Sequence, residues 1–278
     1  MPPFRFCFNT STIRDHQLPL DEVIDIAARA GYDAVEPWIK EIDAFVANGG
    51  ALADLKMQIA DRGLTVEGAI GFPAWIVDDP AQRSQGLEQA RREMELVAAI
   101  GGTRIAAPPF GATKERLTDL SALAERYRAL LEIGDQTGVV PILEMWGFSQ
   151  TLSRLGEVAF VAAEAGHPNA CILADVYHLY KGGSPSEGLR LLNGAKLPIF
   201  HVNDYPAHLA PDVITDKDRV FPGDGVAPIT EILTTLRDIG FEGCLSLELF
   251  NPEHATQDPL TIAQTGLEKM RAVVETLA

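Results

Sequence analysis

The sequence predicts a single-domain α/β protein folded as a parallel (β/α)8 TIM barrel. Eight short apolar runs recur along the 278 residues. Longer amphipathic stretches separate them, and a glycine often marks the passage from such a stretch into the next run. The first run, Phe4–Asn9, leads to Leu20–Ala30, where Leu20, Val23, Ile24, Ala27 and Ala28 fall at helical spacing. Gly31 follows it and Ala34–Trp38 is the second strand. Thr65–Ile70 is the third, entered from Gly63. The stretch Leu87–Ile100 then reads as helix and Arg104–Pro108 as the fourth strand. Leu120–Thr137, capped by Gly138, leads into the fifth strand, Val139–Trp146. Leu155–Ala165 precedes the sixth, Cys171–Tyr177, and Ile199–Asn203 is the seventh. Pro228–Ile239 with Gly240 precedes the eighth, Cys244–Leu249, and Pro259–Leu277 closes the chain. Glycine at a helix end takes the left-handed conformation that turns the chain back. The runs are continuous rather than alternating, as strands covered on both faces are. A doubly wound open sheet is the rival architecture, but eight evenly spaced units favour the barrel. There is no linker or low-complexity segment, so residues 1–278 are expected to form one domain.

Composition narrows the function classes. Hydrophobic residues make up 46% and charged residues 22%, enough apolar material for a large core. With 23 basic and 39 acidic residues the formal charge is −16, which argues against nucleic-acid backbones and anionic membrane surfaces. Cys7, Cys171 and Cys244 are odd in number, lack a C-x-x-C pair and sit in apolar runs, so they read as reduced, buried small hydrophobes. Met1–Arg5 shows no signal-peptide pattern and no run is long enough to span a bilayer. The expected setting is cytoplasmic.

In a barrel, residues at the C-terminal ends of strands converge although they are distant in sequence. Four polar residues stand at such positions: Glu144 after Pro141-Ile142-Leu143, Asp175 after Ile172-Leu173-Ala174, His201 after Pro198-Ile199-Phe200, and Glu248 after Leu245-Ser246-Leu247. Burying an unpaired carboxylate costs several kcal/mol or forces its protonation. Three on neighbouring strands, with no base alongside in the sequence, would repel one another. One divalent cation (Mn, Mg, Co or Zn) removes the problem and leaves positions open for substrate oxygens. The alternative is separate ion pairs with arginines from elsewhere in the chain. His178, three residues after Asp175, is a candidate substrate contact or an ordinary loop histidine. Arg219, beside the turn Pro222-Gly223-Asp224-Gly225, could hold a substrate oxygen with its guanidinium or pair with Asp216 or Asp218. Glu36, on the second strand, is a candidate substrate contact, a support for another site residue or a core ion pair. Trp38, Trp75 and Trp146 fall near strand ends, where an aromatic wall would suit the C–H faces of a sugar, though core packing is the commoner use.

These residues resemble the xylose-isomerase-like TIM barrels, the sugar isomerase/epimerase superfamily. The likeness rests on Leu143-Glu144, Ala174-Asp175-Val176-Tyr177-His178, Phe200-His201-Val202-Asn203-Asp204 and Leu247-Glu248-Leu249. Within that superfamily, Thr215–Gly225 and Glu248–Glu253 are similar to the inosose (2-keto-myo-inositol) isomerases. The resemblance implies a single divalent metal held by Glu144, Asp175, His201 and Glu248, with Glu144 and Glu248 as catalytic base and acid around an enediolate. It implies a sugar or cyclitol substrate, with His178 and Arg219 on its oxygens and Gln150 and Asp204 as further contacts, and it is compatible with a homodimer. One departure stands out. After Gly147 this chain has Phe148-Ser149-Gln150, where the isomerases resembled carry His and Pro before the Gln. A dehydratase (lyase) on the same keto-polyols would share the first step, and a non-catalytic sugar-binding barrel would share the ligands. A repair nuclease such as endonuclease IV fits poorly, because there are six histidines in all and the charge is strongly negative.

Overall fold

The computed structural model describes residues 4–277. Its strands are β1 (Arg5–Asn9), β2 (Ala34–Glu36), β3 (Thr65–Val66), β4 (Arg104–Ala107), β5 (Val140–Glu144), β6 (Ile172–Asp175), β7 (Ile199–Val202) and β8 (Cys244–Leu247). They form one sheet in the order β3-β2-β1-β8-β7-β6-β5-β4, and every pairing is parallel. The two outer strands meet just past β3, where the Ala106 N–H donates to the Ala69 carbonyl at 2.8 Å. That bond closes the sheet on itself, as the eight-unit reading required.

The helices are α1 (Leu20–Ala30), α2 (Ile39–Ala47), α3 (Leu52–Asp61), α4 (Pro80–Ala99), α5 (Leu120–Thr137), α6 (Leu155–Glu164), α7 (Val176–Lys181), α8 (Ile229–Asp238) and α9 (Pro259–Glu275). Gly31 (φ 95°) and Gly138 (φ 75°) end α1 and α5 in the left-handed region, as expected of them. The periodicity misplaces other boundaries. Helix α4 starts at Pro80, not Leu87, because Asp79 accepts the Gln82 N–H at 2.7 Å and proline fits the first helical position. Its first turns are polar, so no apolar stripe announces them. Helices α2 and α3 are short, and sequence patterning missed both. The sixth strand stops at Asp175, because its carboxylate accepts the His178 N–H at 2.8 Å and opens α7. Tyr177, expected in a strand, is therefore helical.

Two kinds of core result. A large cluster fills the layer between strands and helices. Two smaller ones contain almost no helical residues and occupy the barrel interior: Cys7, Ala34 and Cys244 in one, and Ile70, Ala106, Ile142, Leu173 and Ile199 in the other. Small residues on β1, β2 and β8 thus face branched ones on the opposite strands, the alternation that fills a closed barrel. All three cysteines are free and buried. At the N-terminal end Glu67 accepts from Arg5 at 2.8 Å and Arg104 at 2.9 Å, tying that end of the barrel together. Among the described residues, no helix is long and apolar enough to cross a membrane.

One buried carboxylate lies outside this scheme. Glu93 on α4 is 3% exposed; Gln89 donates to one oxygen at 2.7 Å and the other has no partner. Burial raises its pKa. A carboxyl raised by folding contributes its stability at low pH and loses it as pH rises through the folded value. Glu93→Gln is therefore expected to stabilise the fold more at pH 8 than at pH 5. Urea unfolding at both pH values checks this, and an equal shift at each would count against it.

Candidate active site

Glu144 and Asp175 are the last residues of β5 and β6, His201 lies within β7, and Glu248 directly follows β8. The parallel register sets Asp175 beside His201. All four are buried at the C-terminal end of the barrel. Asp175, His201 and Glu248 each bring one ligand-type atom within 4.8 Å of the others. Glu144 lies outside that triangle but shares a cavity wall with Glu248.

The chemistry of His201 decides what the cluster can hold. Its Nε2 is 2.9 Å from Glu36 Oε2, an oxygen that also accepts from Asn9 Nδ2 at 2.9 Å and Ser246 Oγ at 2.8 Å. Glu36 can only accept, so Nε2 carries the proton. The opposite nitrogen, Nδ1, then turns its lone pair toward Glu248 Oε2 at 3.2 Å and Asp175 Oδ2 at 3.8 Å. Neutral, Nδ1 is an acceptor facing two acceptors, so the position calls for a positive centre: a second ring proton, or a metal ion in its place. Nδ1 and Glu144 Oε2 are both buried without a hydrogen-bond partner. A divalent metal fits that set of donors, and Glu36 is the carboxylate that orients a ligating histidine from behind. Burial opposes charge on His201, but Glu248 and Glu36 reverse the effect and hold its pKa well above the usual value. Burial pushes Glu144 up to about 8 against the pull of His201. Burial would also raise Glu248, yet His201 and Arg219 outweigh it and hold that carboxyl well below the usual range.

A base does stand among the carboxylates, contrary to the expectation from sequence. Arg219, fully buried, donates from Nη1 to Glu248 Oε2 at 2.8 Å and Asp175 Oδ2 at 3.1 Å, and from Nη2 to Asp216. Its guanidinium lies over Tyr177 at 4.3 Å and Phe250 at 5.0 Å. Arg219 thus pairs with Asp216, one of the two partners the sequence offered, and also reaches two of the candidate ligands. The loop that carries it hangs on Asp204, whose carboxylate accepts backbone N–H groups from Tyr205, Gly223, Gly225 and Ala227 at 2.8–3.1 Å. Asp204 is thus committed to shaping the turn, not to a substrate.

His178 lies in the first turn of α7, buried rather than on an open rim. Burial and Arg219 hold its pKa well below the usual value, so it is neutral. The Gly147 N–H donates to Nδ1 at 3.2 Å, and Nε2 lies 3.4 Å from Arg219 Nη2. A Cβ on Gly147 would lie 2.4 Å from the His178 carbonyl and 2.6 Å from the Gly182 nitrogen. Gly147→Ala is expected to push α7 outward and cost about 1–3 kcal/mol of stability, read from the urea midpoint. An unchanged midpoint would mean that the loop yields freely.

A cavity of about 710 Å³ opens above these groups, with Glu144, His178, Arg219 and Glu248 on its wall beside Trp38, Trp146 and Phe148. Trp146 is therefore where the sequence reading put it. Gln150 is exposed and outside the lining, because the loop turns after Phe148 and its N–H is spent on the Thr113 carbonyl. Glu36 stands behind His201, away from the cavity. Trp75 is buried, its indole N–H on the Pro108 carbonyl at 2.8 Å. Sequence reasoning missed Asn9, Ser246 and Asn203. Asn203 donates to Asp175 Oδ2 at 2.9 Å and fixes that carboxylate. Asn9 and Ser246 are polar residues inside apolar runs, the same signal that revealed the four acids and histidine.

Residues 24–273 match the family model described as xylose isomerase-like TIM barrel. The chain belongs to that family. It is 26% identical over 278 residues to an inosose isomerase of Bacillus velezensis, covering 97% of each chain. It is 31% identical over 269 residues to an inosose isomerase of Halalkalibacterium halodurans, covering 90% of this chain and 89% of that one. A crystal structure of IolI protein with a bound zinc atom superposes with a TM-score of 0.89 over 99% of both chains at 22% identity, which supports the fold.

Proposed function

We propose that this protein is a divalent-metal-dependent isomerase or epimerase that moves a proton next to the carbonyl of a sugar or inosose. The observation that carries it is the convergence of Asp175, His201 and Glu248 ligand atoms at the floor of an aromatic-walled cavity. Isomerase relatives of matching length support the class. Asp175, His201 and Glu248, with Glu144 beside them, would hold the ion, and that ion would supply Lewis acidity to a substrate carbonyl oxygen. Glu144 and Glu248 stand on β5 and β8 with two strands between them. They can therefore address a bound ring from separated positions, one removing the proton from the carbon next to the carbonyl and the other returning it. His178, a neutral imidazole on the cavity wall, would contact a substrate oxygen. Arg219 balances the negative charge that develops on the enediolate. The tryptophans exclude water and lie against C–H faces.

The test is proton exchange. The metal-loaded protein is incubated in D2O with 2-keto-myo-inositol and a panel of ketohexoses, followed by NMR. Deuterium is expected next to the carbonyl and is expected to disappear when the metal is chelated. An isomeric product confirms the class and a dehydrated one reassigns it as a lyase. No exchange with any of them sinks the proposal.

A further inference from the structure

The cavity has more room than a free six-carbon ring fills, and one stretch of its wall is aromatic. At about 30 Å³ per water, 710 Å³ holds roughly two dozen water volumes. A six-carbon ketose or cyclitol brings about half as many non-hydrogen atoms. Arg14, Asp15, Thr215 and Lys217 line its exposed part, and Glu144, His178, Arg219 and Glu248 are buried at the floor. Above them runs an unbroken aromatic wall. Phe250 lies 6.0 Å from Trp38, Trp38 lies 5.2 Å from Phe72, Phe72 lies 5.9 Å from Trp146, and Trp146 lies 5.1 Å from Phe148 at an interplanar angle of 30°. Phe148, at the outer end, is 40% exposed. A large apolar ring left open to water on a substrate cavity marks a surface meant to be covered.

We infer that Phe148, with Trp146 and Phe72, forms a second subsite that receives a further ring joined to the keto-polyol. The preferred substrate is then a two-ring compound, a keto-sugar carrying a glycosyl or aryl substituent. This rests on the keto-polyol chemistry proposed for the floor. The floor takes the ring that reacts, through its oxygens. The aromatic wall takes the ring that does not react, through its apolar face, and so adds affinity without adding a hydrogen bond. Stacking of that kind is expected to tighten binding roughly 3- to 10-fold.

The experiment compares fructose, isomaltulose (a glucosyl-fructose with a free ketose) and 6-O-benzyl-fructose on the metal-loaded protein. Binding is measured by calorimetry and carbonyl-adjacent exchange by NMR in D2O. The two-ring compounds are expected to bind more tightly than fructose, isomaltulose leading if the natural substituent is a sugar and the benzyl ether leading if it is aromatic. In Phe148→Ala the ratio of two-ring to one-ring affinity is expected to fall to near one, and Phe148→Tyr is expected to restore it. Equal affinities in the native protein, no saturable binding of either two-ring compound, or a ratio unchanged in Phe148→Ala overturns the subsite. Tighter two-ring binding without exchange in any compound keeps the subsite and removes the proposed reaction.

Discussion

Glu248→Gln is expected to lower the rate of carbonyl-adjacent exchange by about 10²–10⁴-fold, the usual contribution of a positioned general acid or base. The side chain keeps its shape and loses two properties at once. It no longer carries the charge that faces Arg219 Nη1 at 2.8 Å and His201 Nδ1 at 3.2 Å, and it can no longer take a proton. Arg219 keeps Asp175 and Asp216 as partners, so the loop should stay in place and the fold should survive. Metal affinity should fall as well, because one of three converging ligand atoms is replaced by a neutral one. Exchange measured by NMR at saturating metal separates the two effects. A variant that retains more than a tenth of the native rate when fully metal-loaded would remove Glu248 from the proton-transfer pair.

The barrel and the four residues at its floor were legible in the sequence for one physical reason. A buried parallel strand is almost wholly apolar, so a carboxylate at its end is conspicuous, and parallel strands place their C-terminal ends together. That reasoning located Glu144, Asp175, His201 and Glu248 without any local motif. What it could not give was orientation. Glu36 is as conspicuous as Glu144, yet Glu144 lines the cavity while Glu36 is bonded to His201, Asn9 and Ser246 behind it. Arg219 was visible only as a turn neighbour. The loop that carries it is held by four backbone amides on Asp204, three of them 19 to 23 residues further along the chain. Gln150 was misplaced for a related reason, since a loop's path is set by bonds such as Gln150 N–H to Thr113 that no periodicity records. The first turns of helix α4 are mostly polar, so its start left no apolar stripe to read.

Glu36→Gln is expected to weaken metal binding by about 10–100-fold, the range found when a carboxylate behind a ligating histidine is altered. Glu36 Oε2 takes three donors: His201 Nε2, Asn9 Nδ2 and Ser246 Oγ. A carboxylate satisfies all three because it only accepts. A glutamine must spend one end on an NH2 group, and if that end faces His201 it turns Nε2 into the acceptor. The ring proton then moves to Nδ1, the atom that faces Asp175 and Glu248, where it blocks the lone pair a metal needs. If the amide oxygen faces His201 instead, the bond to Nε2 survives but its acceptor has lost the negative charge, which weakens its hold on the ring. Either outcome opposes metal binding while leaving Glu144, His178 and the aromatic wall where they are. Metal titration by calorimetry, together with exchange rates across a range of metal concentrations, reads the effect. The expected pattern is a loss that added metal largely restores. A variant with native metal affinity would mean that Glu36 only fills space behind the site, and that the tautomer of His201 is set by its other neighbours.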